Sequence, residues 1–260
     1  MNPVTLEIRD RVAFLTLNRP EAGNALDPSL IHSFRDAAES LDQRDDVGAV
    51  VLTGAGKNFS VGGDLRFMYD AGEDVADAVY GLASTMHAGI MALAELDAPV
   101  ISAVRGAAAG GGMSIAIGAD LVLAAESAHF TVAYTAIGFS PDGGATWTLP
   151  RIVGMRRAIE LMLLNERLSA ARAYELGLVT RVVADDVLAD ETETLARRLA
   201  RGPVGAHGAV KRLLRETYKT TYAKQLEDEA HTIAGLSAAP DGHEGILAFL
   251  DKRAPHFGEP

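Results

Sequence analysis

The chain has 260 residues, with 24 Lys plus Arg against 35 Asp plus Glu, a formal charge of −11 and no cysteine. That balance opposes a nucleic-acid partner, and the missing thiols remove disulfide frameworks and thiolate metal sites. The longest uncharged run near the centre, residues 106–119, has 14 residues and is rich in glycine, too short for a membrane span of about 20 apolar residues. Glu7, Arg9 and Asp10 stand where a secretory signal would be apolar, so a soluble, cytoplasmic protein is expected.

VAFLTLN (12–18) and GAVVLTG (48–54) read as short β runs. Between them, SLIHSFRDAAESLDQ places Leu30, Ile31, Phe34, Ala37, Ala38 and Leu41 at helical spacing. PVISAVRG (99–106) and LVLAAESAHFTVAY (121–134) repeat the strand pattern, and GGGMSIAIGA between them predicts a helix over 112–119. Strands alternating with helices predict an α/β fold with a largely parallel sheet buried under helices. From about Met155 the pattern is mostly helical. The most turn-like joints are ARGPVGAHG (200–208) and APDGHEG (239–245).

Three motifs fail on inspection. The seven histidines include no HExxH, so no metal is expected. GAGKNFS (54–60) has Phe59 where a dinucleotide loop needs its third glycine, and no GK[ST] follows. GMSIA (112–116) carries Ala116 where a nucleophile elbow needs glycine. Two glycine loops remain, SVGGDL (60–65) and RGAAAGGGMS (105–114), each after a predicted strand. Either one alone is explained by tight helix–sheet packing. Together they could aim two backbone amides at one oxygen, because glycine lets backbone approach a ligand closely and helix starts carry unused N–H groups.

LNRPEAGNALD (17–27), VVLTGAGKNFSVGGDL (50–65), PVISAVRGAAAGGGMSIAIGADLVLAAESAHF (99–130), GGATWTLPRIVG (143–154) and RLSAARAYELGLVTRVV (167–183) form an ordered set. From about Val4 to Phe257 the chain resembles the enoyl-CoA hydratase/isomerase, or crotonase, family. The resemblance implies a spiral of ββα repeats over residues 1–200. It implies a helical region over 201–260 that caps the site and builds homotrimers or dimers of trimers. By the same resemblance, the N–H groups of Gly63 and Gly111 form an oxyanion hole for the thioester oxygen of an acyl-CoA. Ala22, Ala25, Val61, Gly62, Asp64, Leu65, Gly110, Tyr134 and Lys252 are the implied substrate-binding positions. No separate cofactor is implied, since coenzyme A belongs to the substrate. Its phosphates need local positive charge, which Lys211, Arg212 and Arg215, or Lys252 and Arg253, could supply as readily as form a solvated basic face.

Hydratases of this family use two glutamates, and the matching places here hold Ser114 and Tyr134. Neither has an ordinary pKa near neutrality, so hydration is not the expected reaction. SPDGG (140–144) is locally a good turn, with Asp142 at its third position. Relatives that shift double bonds, including dienoyl-CoA and ring-1,2-epoxyphenylacetyl-CoA isomerases, carry an aspartate at the place Asp142 matches. The expected activity is therefore an acyl-CoA isomerase with Asp142 as base and proton shuttle, and Phe139, Trp147 and Leu149 as a candidate apolar wall. A 2-enoyl-CoA hydratase, an isomerase of aromatic acyl-CoA and a non-catalytic CoA-thioester-binding protein are the alternatives.

Overall fold

The computed structural model describes residues 2–258. Strands β1 (Val4–Arg9) and β2 (Val12–Leu17) form an antiparallel hairpin. Its two-residue turn, Asp10 and Arg11, has φ of 50° and 63°, the left-handed conformation that matches the twist of a tight hairpin. Helix α1 (Pro28–Glu39) opens with the Asp27 carboxylate accepting the Leu30 N–H at 2.8 Å and Pro28 at its first position. Leu30, Ile31, Phe34 and Ala38 are buried, as their spacing predicts, and Leu41 is buried just beyond the helix end.

The chain then runs through β3 (Ala49–Gly54), α2 (Leu65–Asp70), α3 (Val75–Glu95), β4 (Val100–Val104), β5 (Ala107–Ala109) and α4 (Gly111–Ile117). β6 (Leu121–Ala125), β7 (His129–Thr131), α5 (Ala145–Val153), α6 (Met155–Leu164), β8 (Leu168–Ser169), α7 (Ala170–Glu175) and β9 (Arg181–Val183) follow. The C-terminal part is helical, with α8 (Leu188–Ala200), α9 (Val204–Glu216), α10 (Tyr222–Ala238) and α11 (Pro240–Leu250). Six strands make one sheet in the order β1-β2-β3-β4-β6-β9, parallel except for β1. A smaller sheet has the order β5-β7-β8. The chain alternates between them, β4 then β5 then α4, β6 then β7 then α5 and α6, which is the expected spiral of ββα turns.

Both faces of the large sheet are covered. Val50, Leu52 and Val104 face the main core with Phe34 and Phe130, whereas Val51, Ile101 and Leu123 pack with Leu188, Ala196 and Ala200 of α8. Double-sided burial explains why β3 and β4 read as unbroken apolar runs rather than alternating ones.

Three local readings are corrected. Residues 121–134 are two strands in different sheets, because the chain turns at 126–128, where Ala128 N–H donates to Ala125 O at 2.9 Å. Residues 239–245 are not a loop: Pro240 takes the first position of α11, where no intrahelical N–H is needed, and Gly242 lies inside that helix. The break at 200–208 narrows to 201–203. Helix α3, 21 residues long, and helix α5 were not read from the sequence as helices.

Candidate active site

The two glycine loops lie side by side. Ser60 N–H donates to Ala107 O and Ala109 N–H donates to Ser60 O, both at 3.0 Å. Gly62 has φ +93°, and a Cβ there would stand 2.7 Å from Ala109 O and 3.5 Å from Gly110 Cα. Only glycine permits that backbone contact. Leu26 clamps the loop from the other side: its N–H donates to Gly62 O at 2.8 Å, and its carbonyl accepts Asp64 N–H at 3.1 Å. Gly62 N–H is occupied by Ser60 Oγ at 3.2 Å. Between these pairs, Gly63 N–H makes no hydrogen bond among the described residues, nor does Gly111 N–H at the start of α4.

Asn24 locates this clamp. Fully buried, it donates its side-chain amide to the carbonyls of Ala55, Asn58 and Phe59 at 3.0, 2.8 and 3.1 Å, tying residues 19–26 to the loop before Ser60. The Arg19 guanidinium lies 3.0 Å from Asp27 and 3.6 Å from Asp64. Asp64 also caps α2 by accepting from Arg66 N and Phe67 N, so its carboxylate serves the scaffold.

A cleft of about 540 Å³ opens over the glycines. Val61, Gly62, Gly63, Leu65, Gly110, Gly111, Tyr134 and Asp142 line it, bringing together eight of the twelve residues expected there. The opposite wall is α3, through Val75, Val79, Tyr80, Leu82 and Met86. Among the described residues, Asp142 is the one carboxylate that lines it.

Asp142 occupies a turn and also faces the cleft. Its carbonyl accepts Ala145 N–H at 3.1 Å where α5 begins. Tyr134 Oη donates to its Oδ1, and Ser114 Oγ stands 3.2 Å from the same phenol oxygen. With the phenol proton committed to Asp142, any proton in that second contact comes from the Ser114 hydroxyl, whose one proton is shared with Gly110 O at 3.3 Å. Burial first, then the Asp142 charge and hydrogen bond, hold the Tyr134 phenol far above its ordinary value of 10.0. Tyr134 is therefore a neutral donor. Residue 133, just before it, is an alanine at φ +65°, strain stored beside the site. On the far side, Gly143 N–H donates to His87 Nε2 at 3.0 Å, and that nitrogen lies 3.5 Å from Asp142 Oδ2.

Four expected binding residues are not on the cleft wall. Ala22 and Ala25 sit in the turn behind Leu26, where Ala25 O accepts from Arg19 at 2.8 Å. Asp64 is tied up as described, and Lys252 lies past the end of α11 at φ +55°. The Lys211 side chain is 10% exposed and its Nζ is bound to Asp120 at 2.9 Å and Ala98 O at 3.0 Å, so it is not a free phosphate ligand. Arg212 and Arg253 are paired with Asp97 and Glu244. Of the expected apolar wall, only Phe139 lines the cleft. Leu149 is in the core, and Trp147 stacks under the Arg151 guanidinium with 3.9 Å between Cζ and the ring centroid. Sequence reasoning missed α3 and His87. Val75, Val79, Leu82 and Met86 do recur at helical spacing, which is enough to find the helix face, but nothing local points His87 at Gly143. Among the described residues Ser114 Oγ hydrogen-bonds only with Tyr134 Oη and Gly110 O, so none of them activates it as a nucleophile.

Residues 7–260 match the enoyl-CoA hydratase/isomerase family model. The chain is 38% identical over 260 residues to the 1,2-epoxyphenylacetyl-CoA isomerase of Escherichia coli, covering 99% of this chain and 98% of the relative. It is 34% identical over 250 residues to 4-chlorobenzoyl coenzyme A dehalogenase-2 of Arthrobacter sp, covering 96% and 91%. The crystal structure of an enoyl-CoA hydratase from Polaromonas sp. JS666 superposes with a TM-score of 0.93 at 33% identity, covering 97% of this chain and 98% of that one. With the paired glycine loops, the ββα spiral and full-length similarity in agreement, the chain belongs to the enoyl-CoA hydratase/isomerase family.

Proposed function

We propose that the protein is an acyl-CoA isomerase that converts a 3-enoyl-CoA to a 2-enoyl-CoA. Asp142 Oδ2 takes a proton from C2, the charge spreads over a dienolate, and the same carboxylate returns the proton at C4. The N–H groups of Gly63 and Gly111 receive the thioester oxygen as it becomes negative. Because that charge is absent from the ground state, each such donor lowers the barrier, typically by about 3 kcal/mol. Tyr134 holds Oδ1, leaving Oδ2 to move the proton, and the aliphatic wall of α3 excludes water from the carbanion.

One observation carries this reading: among the described residues, the cleft shared by Gly63 and Gly111 is lined by a single carboxylate. Hydration needs one group to activate water and another to deliver a proton. Ser114 and Tyr134, matched to the hydratase glutamates by resemblance, are instead hydrogen-bonded into the support of Asp142. The similarity to the Escherichia coli isomerase favours a second substrate reading, an aromatic-ring acyl-CoA handled by the same enolate chemistry. Assembly into trimers, which the family resemblance implies, fits the exposed Ile246, Phe249 and Leu250 of α11.

The test uses 3-hexenoyl-CoA and crotonyl-CoA in separate reactions, following the absorbance of the conjugated thioester. Gain with the first substrate and little loss with the second is expected. Asp142→Asn should reduce isomerisation by about 10²- to 10⁴-fold, the range for a proton-transfer group, while acyl-CoA affinity stays nearly intact. Full activity in that variant refutes the assignment. Preferential loss of crotonyl-CoA absorbance indicates a hydratase, and tight binding without turnover indicates a non-catalytic binding protein.

A further inference from the structure

We propose that His87 is a positioning residue for Asp142, acting as a neutral imidazole whose bare Nε2 holds the Gly143 N–H. The proposal rests on Asp142 being the base, and deepens that reading by naming what keeps one of its oxygens free.

Gly143 is buried at φ +61°, and a Cβ on it would stand 2.7 Å from Ser114 Cβ and 3.2 Å from Met86 Cε. It is wedged between α4 and α3, so the direction of its N–H is set by packing. A buried N–H needs an acceptor. Among the described residues the acceptor is His87 Nε2, at 3.0 Å, reaching across 56 positions of sequence.

That bond fixes the tautomer. A ring nitrogen that accepts an N–H carries no proton, so the ring proton belongs on Nδ1. The single lone pair of Nε2 is taken by the Gly143 N–H, so its 3.5 Å approach to Asp142 Oδ2 involves no proton and is not a hydrogen bond. Asp142 consequently receives a strong donor on Oδ1 from Tyr134 and none on Oδ2 among the described residues. The opposite tautomer would orphan the Gly143 N–H, setting two N–H groups against each other at 3.0 Å, and would put a proton on a nitrogen 3.5 Å from Oδ2, the oxygen that must take the substrate proton. His87 thus anchors the residue next to the base and presents no proton to Oδ2. It acts without lining the cleft.

The experiment combines imidazole and amide NMR of the intact protein with turnover of 3-hexenoyl-CoA by His87→Leu and His87→Gln. In the wild type, the His87 nitrogens should report a protonated Nδ1 and a bare Nε2, and the Gly143 amide should exchange slowly with solvent. His87→Leu removes the acceptor: kcat should fall by about 10-fold or more through misplacement of the base, KM should hold, and the Gly143 amide should exchange fast. His87→Gln, whose Oε1 can accept the same N–H, should restore amide protection and most of kcat. Three results each overturn the proposal: a protonated Nε2 with a freely exchanging Gly143 amide, a His87→Leu enzyme with wild-type kcat, or a Gln variant no better than Leu. If the tautomer and amide protection are as expected but the wild type turns over no 3-enoyl-CoA, the His87–Gly143 bond is upheld and the isomerase reading is what falls.

Discussion

The Tyr134 phenol donates a hydrogen bond to Asp142 Oδ1, eight residues further along the chain, and the Ser114 hydroxyl backs the phenol at 3.2 Å. This pair decides which carboxylate oxygen is held by the phenol. Tyr134→Phe keeps the ring and removes only the donor. A hydrogen bond to a charged group is worth about 1.5–3 kcal/mol, so kcat should fall about 10- to 100-fold with acyl-CoA affinity little changed. Steady-state kinetics alongside equilibrium binding of a CoA ester would show the split.

The same phenol gives a prediction for alkaline pH. Its folded pKa is raised above the ordinary 10.0, chiefly by burial and then by Asp142. The folded protein therefore keeps this proton after the unfolded chain has lost it, so the stability it contributes is full below pH 10 and is lost as pH rises further. Urea midpoints of wild type and Tyr134→Phe should converge above that pH. Parallel curves would contradict it.

Adjacent glycines should separate folding from catalysis. Gly62→Ala places a methyl at φ +93° and 2.7 Å from the backbone oxygen of Ala109, which cannot move aside. We expect a loss of about 2 kcal/mol or more in thermal or urea unfolding. A Cβ on Gly63 meets only Met68 Cε, at 2.7 Å, the flexible end of a side chain. Gly63→Ala should unfold much like the wild type yet lose kcat/KM, because its methyl crowds the cleft beside the unused amide.

Lys211 should behave as a structural residue. Its Nζ joins Asp120 and Ala98 O from α9, while Asp120 also accepts Val100 N–H at 2.8 Å, so α9 is fastened to the start of β4. Burial lowers the lysine pKa and Asp120 opposes that shift. Breaking a buried pair typically costs 3–5 kcal/mol; with Asp120 31% exposed, water can partly solvate what remains, and Lys211→Ala should cost about 2 kcal/mol. CoA affinity should not change, which calorimetric titration would check.

Local chemistry made much of this protein legible. Leu30, Ile31, Phe34 and Ala38 announce a helix because helical periodicity belongs to neighbouring residues. SVGGDL and the glycine run before Ser114 announce close backbone approach because only glycine tolerates it. Asp142, Gly63 and Gly111 could be singled out once the motifs were read as an ordered set. Where individual motifs stood alone, as with the turn at Asp142, local chemistry was ambiguous, since a good turn residue and a base have the same side chain.

Tertiary structure decided the rest. Which acceptor meets Gly143 N–H depends on α3 crossing beside the Asp142 turn, 56 residues away in sequence, and the engagement of Lys211 depends on α9 returning to Ala98 across 113. Neither partner is encoded by spacing, because contacts between distant elements are chosen by how their buried faces pack. The sequence by itself determined the kinds of elements and the residues capable of chemistry. Packing determined which of those residues share a cleft, which, like Asp64 and Lys211, hold the scaffold, and which oxygen of Asp142 the Tyr134 phenol holds.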